Sequence, residues 1–267
     1  MSTEKTQYAL NLLESAFINT KPRGVGCSFG KDSVTAVHLA RRIDPNIPVF
    51  SIMTIFKPKE TFEYLVEINR LLNLDVLVYM VAERVPQILI DNGIKVELLS
   101  PDNFREAQGT HENFLHTEDV DRCCHLLKVV PIQKAVANYD VLIDGLRSSE
   151  GITRQNLQEI EITGDLTKIH PILHFTEEDI FEYLKKNDIP IHPWYLKTFP
   201  DGKRYRSLGC APCTRPIFDH ESERDGRWQG SKKEGGECGI HTNQIKPSKQ
   251  NIPLQKTFVM EKQDYNC

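Results

Sequence analysis

No apolar run in these 267 residues approaches the ~20 that a membrane-spanning helix needs, so a membrane protein is not expected. Nor is there an excess of positive charge. Lysine and arginine number 33 against 37 aspartate and glutamate, and the formal net charge of −4 gives no electrostatic reason for nucleic acid as a partner. Local basic clusters can still hold a small anion. No internal repeat and no transit segment are present, and the opening Met1-Ser2-Thr3-Glu4-Lys5-Thr6 lacks the basic-then-apolar pattern of a secretory signal. A cytoplasmic location is therefore expected. The remaining composition, 39% hydrophobic and 26% charged, is that of an ordinary soluble globular protein. The length suits one large α/β domain with an appended segment, or two small domains.

Cysteine is the informative residue, with seven copies. Thiols stay reduced in a cytosolic chain, so clustered cysteines suggest metal binding or catalysis rather than a disulfide framework. Cys123 and Cys124 are adjacent, Cys210 and Cys213 form a C-x-x-C, and Cys238 stands alone in a hydrophilic stretch. Cys27, beside Val25 in an apolar run, reads as a small buried strand residue. The terminal Cys267 fits no cluster.

Short β-branched runs at Gly24–Ser28, Val49–Met53, Asp75–Met80 and Val141–Asp144 read as buried strands. Helical patterns separate them: Gln7 to Asn19, a helix through Arg42, Glu60–Leu72 and Lys128–Ala137. The clearest helix is Thr176–Lys186, with Thr176 as cap, Glu177, Glu178 and Asp179 in the first turn, and Lys185 and Lys186 in the last. Strands alternating with helices predict an α/β fold with a doubly wound, mostly parallel sheet. From about Asp201 glycine, proline and charge take over. Residues 1–200 are expected to form the α/β domain, and residues 201–267 a cysteine-containing arm that buries little of itself and packs over it as a lid.

Two constellations carry chemistry. Ser28-Phe29-Gly30-Lys31-Asp32-Ser33 joins the first strand to the first long helix. Gly30 permits close backbone approach, the helix N-terminus presents unpaired N–H groups, and Ser28 and Ser33 add hydroxyls, a combination that binds phosphate or sulfate oxygens. The loop alone does not choose between ATP and a sulfonucleotide. The second constellation is Cys123-Cys124 together with Cys210 and Cys213. Vicinal cysteines are awkward for one tetrahedral zinc, whereas a cubane offers separate iron corners. Four thiolates are the usual set for a [4Fe–4S] cluster, which is the favoured reading, with zinc second.

The loop resembles the S-x-G-x-D-S motif of the ATP-pyrophosphatase and sulfonucleotide-reductase superfamily. The rest of the pattern is more specific. Cys123-Cys124 followed by Lys128, Cys210-Ala211-Pro212-Cys213-Thr214-Arg215-Pro216, Arg224-Asp225-Gly226-Arg227-Trp228 and Glu237-Cys238-Gly239-Ile240-His241 follow the order of the iron–sulfur assimilatory adenylyl-sulfate reductases. The resemblance runs from the phosphate loop to His241. It implies an adenine-nucleotide α-hydrolase-like fold and a [4Fe–4S] cluster on Cys123, Cys124, Cys210 and Cys213. It also implies reduction of adenylyl sulfate to sulfite and AMP, with Cys238 as nucleophile, a thioredoxin or glutaredoxin-like protein as reductant, and a place in sulfate assimilation. A homo-oligomer is compatible with it. The chain departs from the family where Asp-Thr-Gly becomes Met53-Thr54-Ile55, where a basic pair becomes Leu127-Lys128, and where Arg-Arg becomes Arg147-Ser148. Lys31 is more typical of the ATP-using relatives.

The residues themselves set limits on the chemistry. A free cysteine with a pKa near ~8.5 is only a few per cent thiolate at neutral pH. Lowering that pKa by about two units contributes about 2 kcal/mol, small against the ~8 kcal/mol or more that enzymes supply. Most of the acceleration must come from positioning, and from cations that neutralise an anionic sulfonucleotide approached by a thiolate. Lys128, Arg147, Arg224 and Arg227 are the candidate cations, and His241 a helper for Cys238. The substrate-binding set is thus Ser28, Gly30, Lys31, Asp32, Ser33 and these four. The alternatives are reduction of the 3′-phosphorylated nucleotide, ATP-dependent tRNA thiolation by an iron–sulfur enzyme with the same loop, and a cluster protein that senses nucleotide without turnover.

Overall fold

Short apolar strands with helices between them give a seven-stranded sheet in a computed structural model that describes residues 2–18, 21–109, 114–231 and 233. The chain runs through α1 (Ser2–Phe17), β1 (Arg23–Gly26), α2 (Lys31–Ile43), β2 (Val49–Met53), α3 (Lys59–Leu71), β3 (Leu77–Val81), α4 (Gln87–Asp91) and β4 (Lys95–Leu99). It continues through α5 (Pro101–Gln108), α6 (Leu115–Glu118), α7 (Val120–Cys124), α8 (Val130–Val136), β5 (Val141–Ile143), β6 (Ile160–Thr163), β7 (Leu166–Ile169) and α9 (Glu177–Lys186). The strand order is β4-β3-β2-β1-β5-β7-β6, and only β6 runs antiparallel to its neighbour.

That order creates the crevice. From β1 the chain steps outward to β4, then returns to place β5 on the other side of β1. The loops leaving β1 and β5 therefore diverge at the carboxyl ends of adjacent strands, where open α/β sheets bind ligands. One face of the sheet is covered by α1, α2, α3, α4 and α9, whose Leu13, Val37, Leu65, Leu89 and Ile180 join one large core with Val25, Val78 and Ile143. The other face carries a smaller cluster in which Ile132 and Ala135 of α8 meet Phe50, Tyr79 and Leu142. The sheet is doubly wound, as the alternating pattern predicts. Among the described residues no helix is long and apolar enough to cross a membrane.

Several boundaries differ from the sequence expectation. β1 ends at Gly26 rather than Ser28, because the loop turns at Phe29, whose φ of 57° lies in the left-handed region. The strand expected over Asp75–Met80 runs Leu77–Val81. Cys123 and Cys124 lie inside a helix rather than just before one. Asp119 accepts a hydrogen bond from the Arg122 N–H at 2.9 Å and starts α7 ahead of them. A π-helical turn, His125–Val129, joins α7 to α8. β4, β6 and β7 are short strands of four or five residues that the sequence reading does not include. Thr176 does cap α9, accepting from the Asp179 N–H at 3.2 Å.

The described residues from 201 to 231 are poor in regular structure, as their composition predicts, yet they bury more than expected. Bridges link Thr198 to Arg204, Arg204 to Ile217 and Thr214 to Arg227, and Ile217, Glu223, Arg224, Arg227 and Trp228 are all buried. Charged side chains with long aliphatic stems fill the space that hydrophobic residues fill elsewhere.

Candidate active site

The phosphate loop forms because β1 delivers the chain to the left-handed Phe29, whose ring is fully buried beneath it. Gly30 then caps α2. A Cβ at Gly30 would stand 3.0 Å from the Tyr195 hydroxyl, so the ring roofs the loop closely. Ser33 Oγ accepts the Ser28 N–H at 3.2 Å and donates to the Gly30 carbonyl at 3.1 Å. Ser28 Oγ lies 3.2 Å from Ser33 Oγ, which ties the two hydroxyls together. Across the switch point Gly145, just after β5, presses on the start of α2. A Cβ there would fall 2.8 Å from the backbone of Asp32 and Ser33, which cannot move aside, so only glycine fits.

A cavity of about 190 Å³ opens at this point. Ser28, Gly30, Asp32, Ser33, Lys128, Arg224 and Arg227 all line it, so seven of the expected substrate-binding residues meet in one place. Its apolar floor is Gly26, Phe50, Ile52, Ile132 and Leu142. Arg227 is held by the Leu208 carbonyl at 3.0 Å, and its guanidinium lies 4.5 Å from the Trp228 ring centroid. Gly209 allows that arrangement, since a Cβ there would fall 2.0 Å from Arg227 Nη2.

Lys31 and Arg147 do not line the cavity. Lys31 Nζ donates to Asp32 Oδ2 at 3.1 Å, to Glu223 Oε2 at 3.1 Å and to the Arg206 carbonyl at 2.9 Å. Arg147 donates to Asp32 Oδ1 at 2.7 Å and through both terminal nitrogens to Glu223, at 3.1 and 2.5 Å. Both cations are fully buried. Burial by itself favours the neutral lysine, but Asp32, Tyr195 and Glu223 outweigh it and hold the pKa of Lys31 above its usual value. Burial likewise favours a protonated Asp32, and Arg147 and Lys31 overcome it, so that carboxyl titrates below the usual range. The result is an internally neutralised ion cluster beneath the loop.

The cysteines gather on the other side of Lys128. Burial, then the neighbouring Cys210 and Cys213, push the Cys123 thiol up to about 12. Cys124 packs with Val120, Trp228 and Cys213. Burial raises the pKa of Cys210, but Lys128, Lys57, a hydrogen bond with Thr54 Oγ1 at 3.3 Å and Arg227 bring it below the usual thiol value. Burial and Cys210 raise that of Cys213. Among the described residues no group of three or more Cys, His, Asp or Glu side chains is placed to hold a metal ion. A mononuclear metal draws its donors to one point, whereas a cubane spreads four thiolates over four corners. Two thiols on α7 near two on a turn, with Lys128 and Arg227 close to Cys210, are the kind and number of donors that fit a cluster. Cys27 is a buried thiol raised to about 11 by burial. Cys238 and His241 lie outside the described residues.

The family model for the phosphoadenosine phosphosulfate reductase domain matches residues 24–216. The chain belongs to this family. Adenosine 5′-phosphosulfate reductase of Halalkalibacterium halodurans is 33% identical over 218 residues, 80% of this chain and 83% of the relative. Adenosine 5′-phosphosulfate reductase 1 of Bacillus subtilis is 30% identical over 218 residues, 80% of this chain and 82% of the relative. Among solved structures, the phosphate complex of phosphoadenylyl-sulfate reductase from Candida auris shares the fold. Its TM-score is 0.57 at 16% identity, over 78% of this chain and 90% of that one.

Within the family's fold, sequence reasoning passed over several residues of the cavity wall, among them Lys57, Arg154, Lys168 and Tyr195. Lys57 lies four residues past the end of β2, in the loop at the carboxyl end of a parallel strand, and that placement was a usable signal. Tyr195 sits in a 3₁₀ turn far along the chain and carried none.

Proposed function

We propose that this chain reduces adenylyl sulfate to sulfite and AMP in sulfate assimilation. The observation that supports the reading is the cavity at the β1/β5 switch point, where the phosphate loop meets Lys128, Arg224 and Arg227 beside four gathered cysteines. Residues 1–200 serve as the nucleotide-binding unit, and residues 201–267 as the arm that brings Cys238.

Cys123, Cys124, Cys210 and Cys213 would hold a [4Fe–4S] cluster. When bound, it supplies an anchor between the Cys210–Cys213 turn and α7, and an electrostatic neighbour for Lys128. The nucleotide phosphate rests on the N–H groups at the start of α2 and the hydroxyls of Ser28 and Ser33. Arg224, Arg227 and Lys128 neutralise the sulfate, so that an approaching thiolate meets less repulsion. The Cys238 thiolate attacks sulfur, the sulfur–oxygen bond to the phosphate breaks, AMP leaves with the electron pair, and Cys238 carries an S-sulfo group. A reduced dithiol of the thioredoxin or glutaredoxin class then supplies two electrons, becomes a disulfide, and releases sulfite with the free Cys238 thiol. His241, three residues on, helps hold the thiolate.

The test is single turnover without reductant. Mixing the protein with adenylyl sulfate is expected to release one equivalent of AMP and then stop. One SO₃ group should then be found by peptide mapping on the segment containing Cys238. Reduced thioredoxin removes it as sulfite, and Cys238→Ser forms no adduct. Catalytic AMP release without a reductant, or an adduct on another cysteine, rules the mechanism out.

A further inference from the structure

Glu223 immediately precedes the Arg224–Arg227 motif and is not among the residues read from the sequence as functional. Its carboxylate, 4% exposed, accepts three charge-assisted hydrogen bonds: one from Lys31 at 3.1 Å and two from Arg147 at 3.1 and 2.5 Å. Around it the charges balance. Lys31, Arg147, Arg204 and Arg206 stand against Asp32, Glu177, Asp219 and Glu223. Buried and bidentate, these bonds fix geometry far more than exposed pairs do, and losing one partner leaves a buried charge uncompensated.

Those bonds join three distant pieces of chain: the start of α2, the loop after β5, and the arm's root. A further tie is Ser222 Oγ donating to the Glu150 carbonyl at 3.1 Å. Arg224 and Arg227 follow Glu223 by one and four residues, and both face the cavity while Lys31 and Arg147 do not. Where the carboxylate is clamped therefore decides where those two guanidinium groups point.

We infer that Glu223 is a positioning residue for sulfur transfer. It occupies the charges of Lys31 and Arg147, and thereby sets Arg224 and Arg227 against the anionic end of the ligand. The inference rests on the reaction proposed above, in which the loop holds the phosphate and the arm's arginines hold the sulfate. Loss of the clamp then slows sulfur transfer without a matching loss of AMP binding. A merely structural role would weaken both together.

The full-length, cluster-loaded protein is compared with Glu223→Gln and Glu223→Asp. In Glu223→Gln, single-turnover AMP release from adenylyl sulfate is expected to slow at least tenfold, while the Kd for AMP stays within threefold. Glu223→Asp, which keeps the charge, recovers at least half of the lost rate on a logarithmic scale. Turnover within threefold of wild type in Glu223→Gln overturns the inference, as does a parallel loss of AMP affinity that aspartate does not rescue. Should Glu223→Gln fail to fold, Lys31→Met/Glu223→Gln removes one charge of each sign, and the same split between rate and AMP affinity is expected of it. Amide exchange separates this inference from the reaction itself. Exchange across residues 222–228 is expected to rise at least tenfold in the folded variant, and unchanged protection there overturns the clamp. Wild-type protein that binds AMP but releases none from adenylyl sulfate overturns the reaction, and with it the positioning role given to Glu223.

Discussion

The Lys31 ammonium meets the Glu223 carboxylate at 3.1 Å across 192 residues of sequence, and both side chains are buried. In the loop motif a lysine beside serines and a glycine reads as an anion ligand. Here it is a counterion of the protein's own carboxylates, and the loop's anion-binding capacity falls to backbone N–H groups and hydroxyls.

Stability should report this pairing. Lys31→Met leaves Asp32 and Glu223 with Arg147 as their remaining partner, and is expected to cost about 3 kcal/mol, the lower end for breaking a buried pair. Arg147→Met removes the bonds to both carboxylates and should cost more. Urea unfolding gives the order: both midpoints fall with m unchanged, Arg147→Met further. A Lys31→Met midpoint equal to that of wild type would show that the pair adds nothing net.

Iron content tests the cysteine set. Protein isolated with its cofactor is expected to be brown, with about four irons per chain. Serine at Cys123, Cys124, Cys210 or Cys213 should bleach it, whereas Cys238→Ser should keep its colour. Stoichiometric zinc in colourless, anaerobically prepared protein would replace the cluster assignment.

The arm's cations should matter for ligand rather than for iron. Arg224→Ala and Arg227→Ala are each expected to slow AMP release from adenylyl sulfate by about tenfold or more, the cost of one charge-assisted contact of about 1.5–3 kcal/mol. Gly209→Ala should mimic Arg227→Ala, because its Cβ would occupy the place of the Arg227 guanidinium, 2.0 Å from Nη2. Normal turnover in Gly209→Ala would mean that the guanidinium can move aside without consequence.

Acid sensitivity should trace in part to His192. Its Nδ1 accepts the Trp194 N–H at 3.1 Å and its Nε2 lies 3.0 Å from Thr61 Oγ1, so the ring is buried in its neutral form. Burial, helped by Lys57, holds its pKa down to about 4. The unfolded chain takes up this proton near pH ~6.5 and the folded chain only near 4. The contribution is therefore complete above ~6.5 and is lost as pH falls toward 4, by about 3 kcal/mol. Stability measured against pH in wild type and His192→Asn, which keeps an acceptor for Trp194, should show the gap between them changing by about that amount across this window. A constant gap would exclude His192 as the source.

The sequence by itself determined the layered α/β architecture, the end of the sheet that carries the loop, and the four cysteines proposed as cluster ligands. Each of these depends on local pattern: alternation of β-branched runs with amphipathic helices, a cap at Thr176, a fixed spacing of thiols. The strands β6 and β7 escaped that reading because Ile160-Glu161-Ile162-Thr163 and Leu166-Thr167-Lys168-Ile169 are too short and mixed to stand out before they pair. Only the tertiary structure decided which cations face the crevice. Lys31, Arg147, Arg224 and Arg227 are equivalent as letters, since a charge carries no record of its partner. Partnering is settled by which carboxylates the β1/β5 switch and the arm's root bring within about 3 Å, and Asp32 and Glu223 take two of the four. Burial makes that choice firm, because an unpaired charge beneath the loop costs several kcal/mol.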